Sequence, residues 1–213
     1  MFKSIKLKLN WRKFVLILLA VLISTGGVFL FFYWQDQKEI SFINGLASQH
    51  PEGKTFVAEI LKARQELKDS DPKNDFSAYL RLGVNFNNLE ERERALEFYN
   101  KALKTDSKNI LALNNIAEIY SDSGDYKKAE EYFLKLVEYY PDKTDFYRKL
   151  GYLYQYRLNK TPAEIETFFK QGLEKTGDSA DLITWLISYF QEIGDNEKFV
   201  EYTNLLAGKN DEK

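Results

Sequence analysis

Residues 114–142, NNIAEIYSDSGDYKKAEEYFLKLVEYYPD, decide the fold of this chain. Apolar residues recur every three or four positions on both sides of the SGD tripeptide, a period typical of two amphipathic helices. Gly124 can adopt the conformation that ends the first helix, and Pro141 cannot continue the second. Ala117 and the aromatic Tyr120 lie three positions apart and therefore share a helix face. The stretch predicts a helix-turn-helix unit.

The same pattern returns along the chain at a nearly fixed spacing. Gly83, Ala117, Gly151 and Ile187 occupy one register and are separated by 34, 34 and 36 residues. The same register aligns Leu82, Ile116, Leu150 and Leu186, then Phe86, Tyr120, Tyr154 and Phe190, and in the second halves Ala95, Ala129, Ile165 and Phe199. Small residues let paired helices approach closely, and the neighbouring aromatic side chains fill the remaining space.

This pattern resembles the tetratricopeptide repeat (TPR) family, whose unit is a helix-turn-helix of roughly 34 residues. The resemblance implies an all-α fold in which a TPR-type α-solenoid occupies residues 54–213. Its repeats are expected at residues 76–109, 110–143, 144–179 and 180–213, after a half repeat at 54–72 that would cap the first face. The fourth repeat carries Ile187 and Phe199 at small-residue positions and resembles a terminal capping repeat.

The resemblance also implies a binding groove, since the first helices of this family line a concave face that binds a protein or peptide partner. Amides, arginine and exposed aromatic residues suit recognition of a peptide. The corresponding positions are Arg81, Asn87, Asn88, Asn114, Asn115, Glu118, Asp122, Arg148, Lys149, Tyr152, Gln155, Tyr156, Trp185 and Gln191. The carboxylate clamp of cytosolic TPR co-chaperones is matched only at Asn115 and Lys149, because Leu80 and Val84 replace its other polar groups.

A second signal lies at the N-terminus. Residues 14–34, FVLILLAVLISTGGVFLFFYW, contain no charge and are long enough for one transmembrane helix. Residues 1–13 hold five basic residues and no acid, so the positive-inside rule predicts a cytoplasmic N-terminus and a plasma (inner) membrane protein. The repeats would then lie in the periplasm or outside the cell.

Two other interpretations of this segment stay open. A cleaved signal peptide also has a basic start, but its apolar core is usually shorter, so an uncleaved signal anchor is favoured. An anchor in an organellar outer membrane would leave the repeats in the cytosol.

Residues 35–53 are mostly polar and are predicted to be a linker, with a helix beginning near Lys54. The following DSDPKND stretch places Asp69 and Asp71 at the first two ligand positions of a calcium loop. Lys73 at the third ligand position and Leu80 at the twelfth argue against calcium.

Composition excludes several classes of function. All 32 acidic residues follow residue 35, against 25 of the 30 Lys and Arg, so this part is acidic and unsuited to nucleic acid. The chain has no cysteine and one histidine, His50, in a turn-like context, and no cofactor is expected.

The sequence therefore favours a membrane-tethered interaction module that binds a protein partner and is not an enzyme. Its resemblance to anchored periplasmic TPR proteins implies a role in translocation, envelope assembly or pilus biogenesis. The alternatives are binding of an envelope glycan or hydrolysis by paired carboxylates such as Glu130 with Glu131, or Asp122 with Asp125.

Overall fold

The computed structural model describes the backbone of residues 11–68 and 72–211 and the side chains of residues 25–68 and 75–209. All regular elements in these residues are α-helices, which confirms the predicted all-α class. The helices are α1 (Trp11–Leu46), α2 (Gly53–Lys68), α3 (Pro72–Asn88), α4 (Arg92–Thr105), α5 (Ile110–Asp122), α6 (Tyr126–Tyr139), α7 (Thr144–Tyr156), α8 (Pro162–Thr176), α9 (Ala180–Glu192) and α10 (Asn196–Asp211). The chain divides into two compact units, Met1–Leu61 and Lys62–Lys213.

In the first unit, α1 is longer than the sequence suggests. The prediction of a linker over residues 35–53 was wrong for residues 35–46, which continue α1 without a break. Extending an existing helix is easier than starting a new one, and no proline interrupts it before Pro51. Ile43 and Leu46, three residues apart, are both buried, so the helical continuation also removes apolar side chains from water. Only residues 47–52 connect α1 to α2.

The predicted membrane span at residues 14–34 falls on the N-terminal half of α1. The side chains of residues 14–24, and residues 1–10 of the predicted basic terminus, lie outside the described part of the chain. Among the helices of the described residues, none has both the length and the apolar character needed to cross a bilayer.

In the second unit, α3 to α10 form four consecutive helix pairs, and each pair packs on the next. The residues that the 34-residue register aligns in the first helices, Leu82, Ile116, Leu150 and Leu186, are all completely buried. Burial of a Leu or Ile side chain contributes roughly 1.5 to 3 kcal/mol, so this column forms a continuous core. Helix α3 begins at Pro72, four residues before the predicted repeat, because proline is compatible with the first turn of a helix.

Close helix contacts explain the small residues of the register. A Cβ atom at Gly83 would lie 2.6 Å from the ring of Tyr99, and one at Gly151 would lie 2.6 Å from the ring of Phe169. Within both pairs, glycine lets an aromatic ring of the second helix pack directly on the backbone of the first. Gly172 does the same for the ring of Tyr147, a contact that the register did not predict.

The turns between paired helices use a left-handed residue. Gly124 has a φ of 80° and Gly194 has a φ of 76°, whereas the first pair uses Glu90, with a φ of 59°. The helices that follow begin with caps: Asp125 accepts from the backbone of α6, and Thr161 forms a capping box with Glu164 at the start of α8.

Candidate functional site

The predicted groove residues belong to the first helices of the four pairs, α3, α5, α7 and α9, but they differ in exposure. Asn88, Asp122, Arg148, Tyr152, Tyr156 and Gln191 are exposed; Arg81, Asn87, Asn114, Asn115, Glu118, Lys149 and Gln155 are half-buried; Trp185 is buried. Their contacts separate the residues that hold the repeats together from those that stay available to a partner.

Lys149 bridges α7 to α5. Its ammonium group donates to Asn114 Oδ1 at 2.8 Å and forms a short ion pair with the Glu118 carboxylate. The three side chains therefore satisfy one another across the seam between the second and third repeats. Lys149 and Glu118 border a cavity of about 320 Å³ that Tyr152 and Tyr156 also line.

Two other predicted groove residues are also engaged within the fold. Arg81 forms an ion pair with Glu66 of α2. Asn115 donates from Nδ2 to the Leu111 carbonyl of its own helix at 2.8 Å. The structure therefore does not bring Asn115 and Lys149 together as a clamp for a carboxylate, because each is held by a different partner.

The seam between the second and third repeats is called the second seam, and the one between the third and fourth repeats, where α7 contacts α9, the third seam. The third seam is an open cleft of about 290 Å³. Its wall and floor combine aromatic, hydroxyl and charged groups, contributed by Arg148, Tyr152, Gln155, Asp181, Thr184, Trp185, Ser188, Tyr189 and Glu192. Four of these residues were predicted from the sequence, and the structure brings them into one site.

Trp185 forms the floor of the cleft. It was predicted as a groove residue and it lines the cleft, but only 7% of it is accessible. Its indole stacks on Phe169 at a centroid distance of 4.1 Å and on Tyr189 at 5.3 Å. The ring of Tyr152, which is 51% exposed, is nearly perpendicular to the indole ring, with the two ring centroids 6.0 Å apart. Burial here follows from Gly151, which leaves room for the indole ring.

The two seams differ at equivalent positions of the repeat. Asn114, Glu118 and Lys149 of the second seam correspond in register to Arg148, Tyr152 and Trp185 of the third. A polar bridge at one seam is therefore replaced by an aromatic contact at the next. Of the three residues at the third seam, Tyr152 presents the exposed aromatic ring.

The C-terminal end of the cleft carries a carboxylate that the sequence interpretation missed. Tyr156, 49% exposed, donates its hydroxyl to both oxygens of Glu192 at 2.9 Å. This hydrogen bond raises the pKa of the Tyr156 phenol. Tyr156 also stacks on Tyr152 at 6.2 Å. The repeat register could have found Glu192, because it is the counterpart of Tyr156 36 residues later.

The opposite end of the cleft contains Asp181, which was also missed. Its carboxylate accepts from the Thr144 hydroxyl at 3.3 Å. Arg148 nearby contacts Asp145 of its own helix at 3.4 Å. The other ten predicted groove residues do not line this cleft: Arg81, Asn87, Asn88, Asn114, Asn115, Glu118, Asp122, Lys149, Tyr156 and Gln191.

The residues that the structure describes contain no group of His, Asp or Glu side chains arranged to hold a metal ion. Asp125, one of the carboxylates considered for catalysis, instead caps α6, and a hydrogen bond from Lys128 lowers its pKa. Asp69 and Asp71 of the considered calcium loop lie outside the described residues.

Comparison with known proteins agrees with this architecture. Residues 76–109 and 110–143 match the family model described as tetratricopeptide repeat, with the boundaries predicted from the register. The chain therefore carries tetratricopeptide repeats in a TPR-type α-solenoid.

Solved structures share the fold. A tetratricopeptide repeat protein from Parabacteroides merdae is 22% identical, with a TM-score of 0.55, over 81% of this chain and 67% of that protein. PilF of Pseudomonas aeruginosa is 20% identical, with a TM-score of 0.52, over 81% of this chain and 77% of that protein. These likenesses concern the fold alone. Among curated proteins, the uncharacterized protein ycf37 of Porphyra purpurea is 36% identical over 59 residues, or 28% of this chain and about a third (34%) of that relative.

Proposed function

We propose that this protein is a membrane-tethered interaction module that binds a protein partner on the face formed by its first helices, and that it is not an enzyme. The observation that carries the proposal is the α7–α9 cleft, where the exposed ring of Tyr152, stacked on Tyr156 beside the cleft, stays accessible on a rigid helical frame. Tyrosine, tryptophan and arginine dominate the energetics of protein interfaces because they combine a large apolar area with a polar group.

The arrangement of Tyr152 and Tyr156 suits such a role. Both rings are about half exposed although they stack on each other, so a partner can bury the outer halves. The floor below them is held by the Trp185 and Phe169 stack. Little ordering of these side chains is then needed on binding, which favours affinity.

The membrane anchor is the second part of the proposal. In α1, residues 28–34, VFLFFYW, are all more than half exposed, and seven consecutive helical residues point in every direction around the axis. A helix that is apolar all round belongs in a nonpolar surrounding. Lys38 lies 4.2 Å from the ring centre of Trp34, a pairing that suits the boundary between lipid and water.

The proposed location follows from these features. Residues 14–34 would span the plasma membrane with the basic residues 1–13 in the cytoplasm, and the repeats would lie in the periplasm or outside the cell. Tethering raises the effective concentration of the cleft near other membrane proteins, so a modest intrinsic affinity suffices. Translocation, envelope assembly and pilus biogenesis are the processes in which such an anchored module would take part.

Photo-crosslinking in the source cells tests the binding face. A photoreactive phenylalanine analogue is placed at Tyr152 or, as the matched control, at Lys127, which is exposed on α6. A protein adduct is expected from position 152 and should be lost when Tyr156 is changed to Ala. An adduct from position 127 alone would show that the outer helices bind the partner, and would overturn the proposed face.

Glycan binding is the second candidate, because an exposed ring such as Tyr152 beside hydroxyl and carboxylate groups can also stack on a sugar. Titration of the purified protein with soluble envelope glycan fragments separates the two. Saturable glycan binding that Tyr152→Ala abolishes, without a protein adduct in cells, would favour the glycan.

Protease accessibility tests the anchor. Protease added to intact cells, or to spheroplasts if there is an outer membrane, should digest the repeats, and alkaline carbonate should leave the protein in the membrane fraction. Complete protection of the repeats would reverse the proposed orientation, and release by carbonate would exclude a spanning helix.

A further inference from the structure

The charged side chains of the α7–α9 cleft differ in whether a group of opposite charge lies beside them. Arg148, the cation of the cleft, already has a carboxylate beside it, Asp145 at 3.4 Å. Asp181 and Glu192 accept hydrogen bonds only from the neutral hydroxyls of Thr144 and Tyr156. Within the part of the chain whose side chains are described, neither carboxylate has a cation within ion-pair distance.

The second seam shows the opposite situation, because Lys149 neutralises Glu118 there. The α7–α9 cleft therefore keeps a negative charge while its neighbour does not. It also belongs to a part of the chain with 32 acidic residues against 25 basic ones after residue 35. Such a surface attracts cationic partners and repels anionic ones.

Two stacked aromatic rings lie at the Glu192 end of the cleft: Tyr152 lines the cleft, and Tyr156 borders that end through its hydrogen bond to Glu192. Tyr152 and Tyr156 present accessible ring faces, and the negative face of an aromatic ring attracts a guanidinium or ammonium group. Glu192 lies at the end of this aromatic surface and is oriented by the Tyr156 hydroxyl. A cation stacked on these rings would thus reach an oriented carboxylate.

From this arrangement we propose that the partner enters the α7–α9 cleft as a basic peptide segment, with one Lys or Arg on the Tyr152 and Tyr156 rings against Glu192 and a second near Asp181. This inference rests on the proposed function and specifies the class of its ligand. Asp181 and Glu192 are separated by eleven residues of α9, roughly 16 Å at 1.5 Å per residue. An extended chain covers that distance in about five residues, which sets the spacing of the two cations.

The test uses fluorescently labelled synthetic peptides and the full chain purified in a nonionic detergent. The probe peptide has two arginines about five residues apart in a Gly and Ser background, and the comparison peptide has two glutamates at the same positions. Fluorescence anisotropy is expected to show binding of the arginine peptide, weakened by added salt, and no binding of the glutamate peptide.

Charge-neutral variants locate the contact. Glu192→Gln and Asp181→Asn should each weaken binding of the arginine peptide about fivefold, whereas Arg148→Gln should strengthen it because a cation that repels the peptide is removed. The matched control is Glu138→Gln, an exposed carboxylate on α6 that should have no effect.

Several results would overturn the inference. Binding of the glutamate peptide that depends on Tyr152 would keep the cleft as a protein-binding site while refuting its basic ligand. Binding of the arginine peptide that is indifferent to both Glu192→Gln and Asp181→Asn would refute the cleft as its site, and absence of arginine-peptide binding would refute the ligand class. Failure of the proposed function itself is seen separately, as absence of any protein adduct from position 152 when Tyr156 is unchanged.

Discussion

The indole ring of Trp185 stacks on the phenyl ring of Phe169 with centroids 4.1 Å apart and planes inclined by 7°. These rings come from different repeats, and they meet over Gly151 in a third helix. A Cβ atom at position 151 would lie 2.6 Å from Phe169 and 2.7 Å from Trp185. The stacked rings at the floor of the candidate binding cleft can therefore pack this closely only because Gly151 has no Cβ atom.

Gly151→Ala should destabilise the protein by about 1 to 3 kcal/mol, because two packed rings must move to admit the methyl group. Urea unfolding measured by circular dichroism tests this. Gly208→Ala is the matched control: it lies in α10 with nothing within 4 Å of the added atom, so it should stabilise by up to about 1 kcal/mol. Equal effects of the two changes would contradict the described packing.

Glu90→Gly should stabilise the first repeat by about 0.5 to 1 kcal/mol. Glu90 holds a left-handed backbone conformation at the turn position where the second and fourth repeats have glycine. Relief of that steric cost outweighs the greater freedom of glycine in the unfolded chain. Glu93→Gly, in the first turn of α4, should destabilise instead. Thermal unfolding that ranks these variants in the reverse order would refute the argument.

Two tyrosines should respond in opposite ways to loss of the hydroxyl group. The Tyr147 hydroxyl is buried and has no hydrogen-bond partner among the described residues, and burial raises its pKa. Tyr147→Phe should therefore be neutral or stabilise by about 1 kcal/mol. Tyr202 donates to Glu166 at 2.9 Å, so Tyr202→Phe should cost about 1 to 2 kcal/mol. Denaturant midpoints of the two variants provide the comparison.

The stability should depend on pH through Glu166. Partial burial alone would raise the pKa of this carboxyl, but hydrogen bonds from Lys170, Lys198 and Tyr202 outweigh it and lower the pKa from 4.5 to about 2. A lowered pKa means that the stabilisation is complete above about pH 5 and is lost as the pH falls toward 2. Its size is of the order of 3 kcal/mol, at about 1.4 kcal/mol per pKa unit.

Glu166→Gln checks this dependence. The difference in unfolding free energy between the parent protein and this variant should be largest near pH 6 and should shrink steadily below pH 5. A difference that stays constant down to pH 3 would show that Glu166 does not titrate as described.

The helix pairs could be predicted from the sequence because their signals are local. Gly83, Gly151 and the buried leucine column recur with the period of the repeat, and the structure uses them as the register predicts. The extension of α1 to Leu46 was missed because the polar composition of residues 35–46 does not distinguish a helix from a linker. It depends on cooperative growth from the preceding helix.

The candidate site could be predicted only in part. Family position predicted that Tyr152 and Tyr156 lie on one face of α7, and both are exposed there because exposure follows from the helix face. It did not reveal that Lys149 is held by Glu118 or that Trp185 lies beneath Tyr152. Those relationships depend on which side chains meet across neighbouring repeats, and that depends on packing between residues more than 30 positions apart.

The replacement of the Lys149 bridge by the Trp185 contact makes the two seams respond differently to the solvent. Dissolved salt screens the ion pair between α5 and α7, whereas excluded salts such as sulfate strengthen apolar contacts such as those between α7 and α9. In a solenoid each repeat is stabilised mainly by its neighbours, so such a change at one seam acts on the repeats beside it. Concentrated sulfate should therefore stabilise the junction of the third and fourth repeats more than the junction of the second and third.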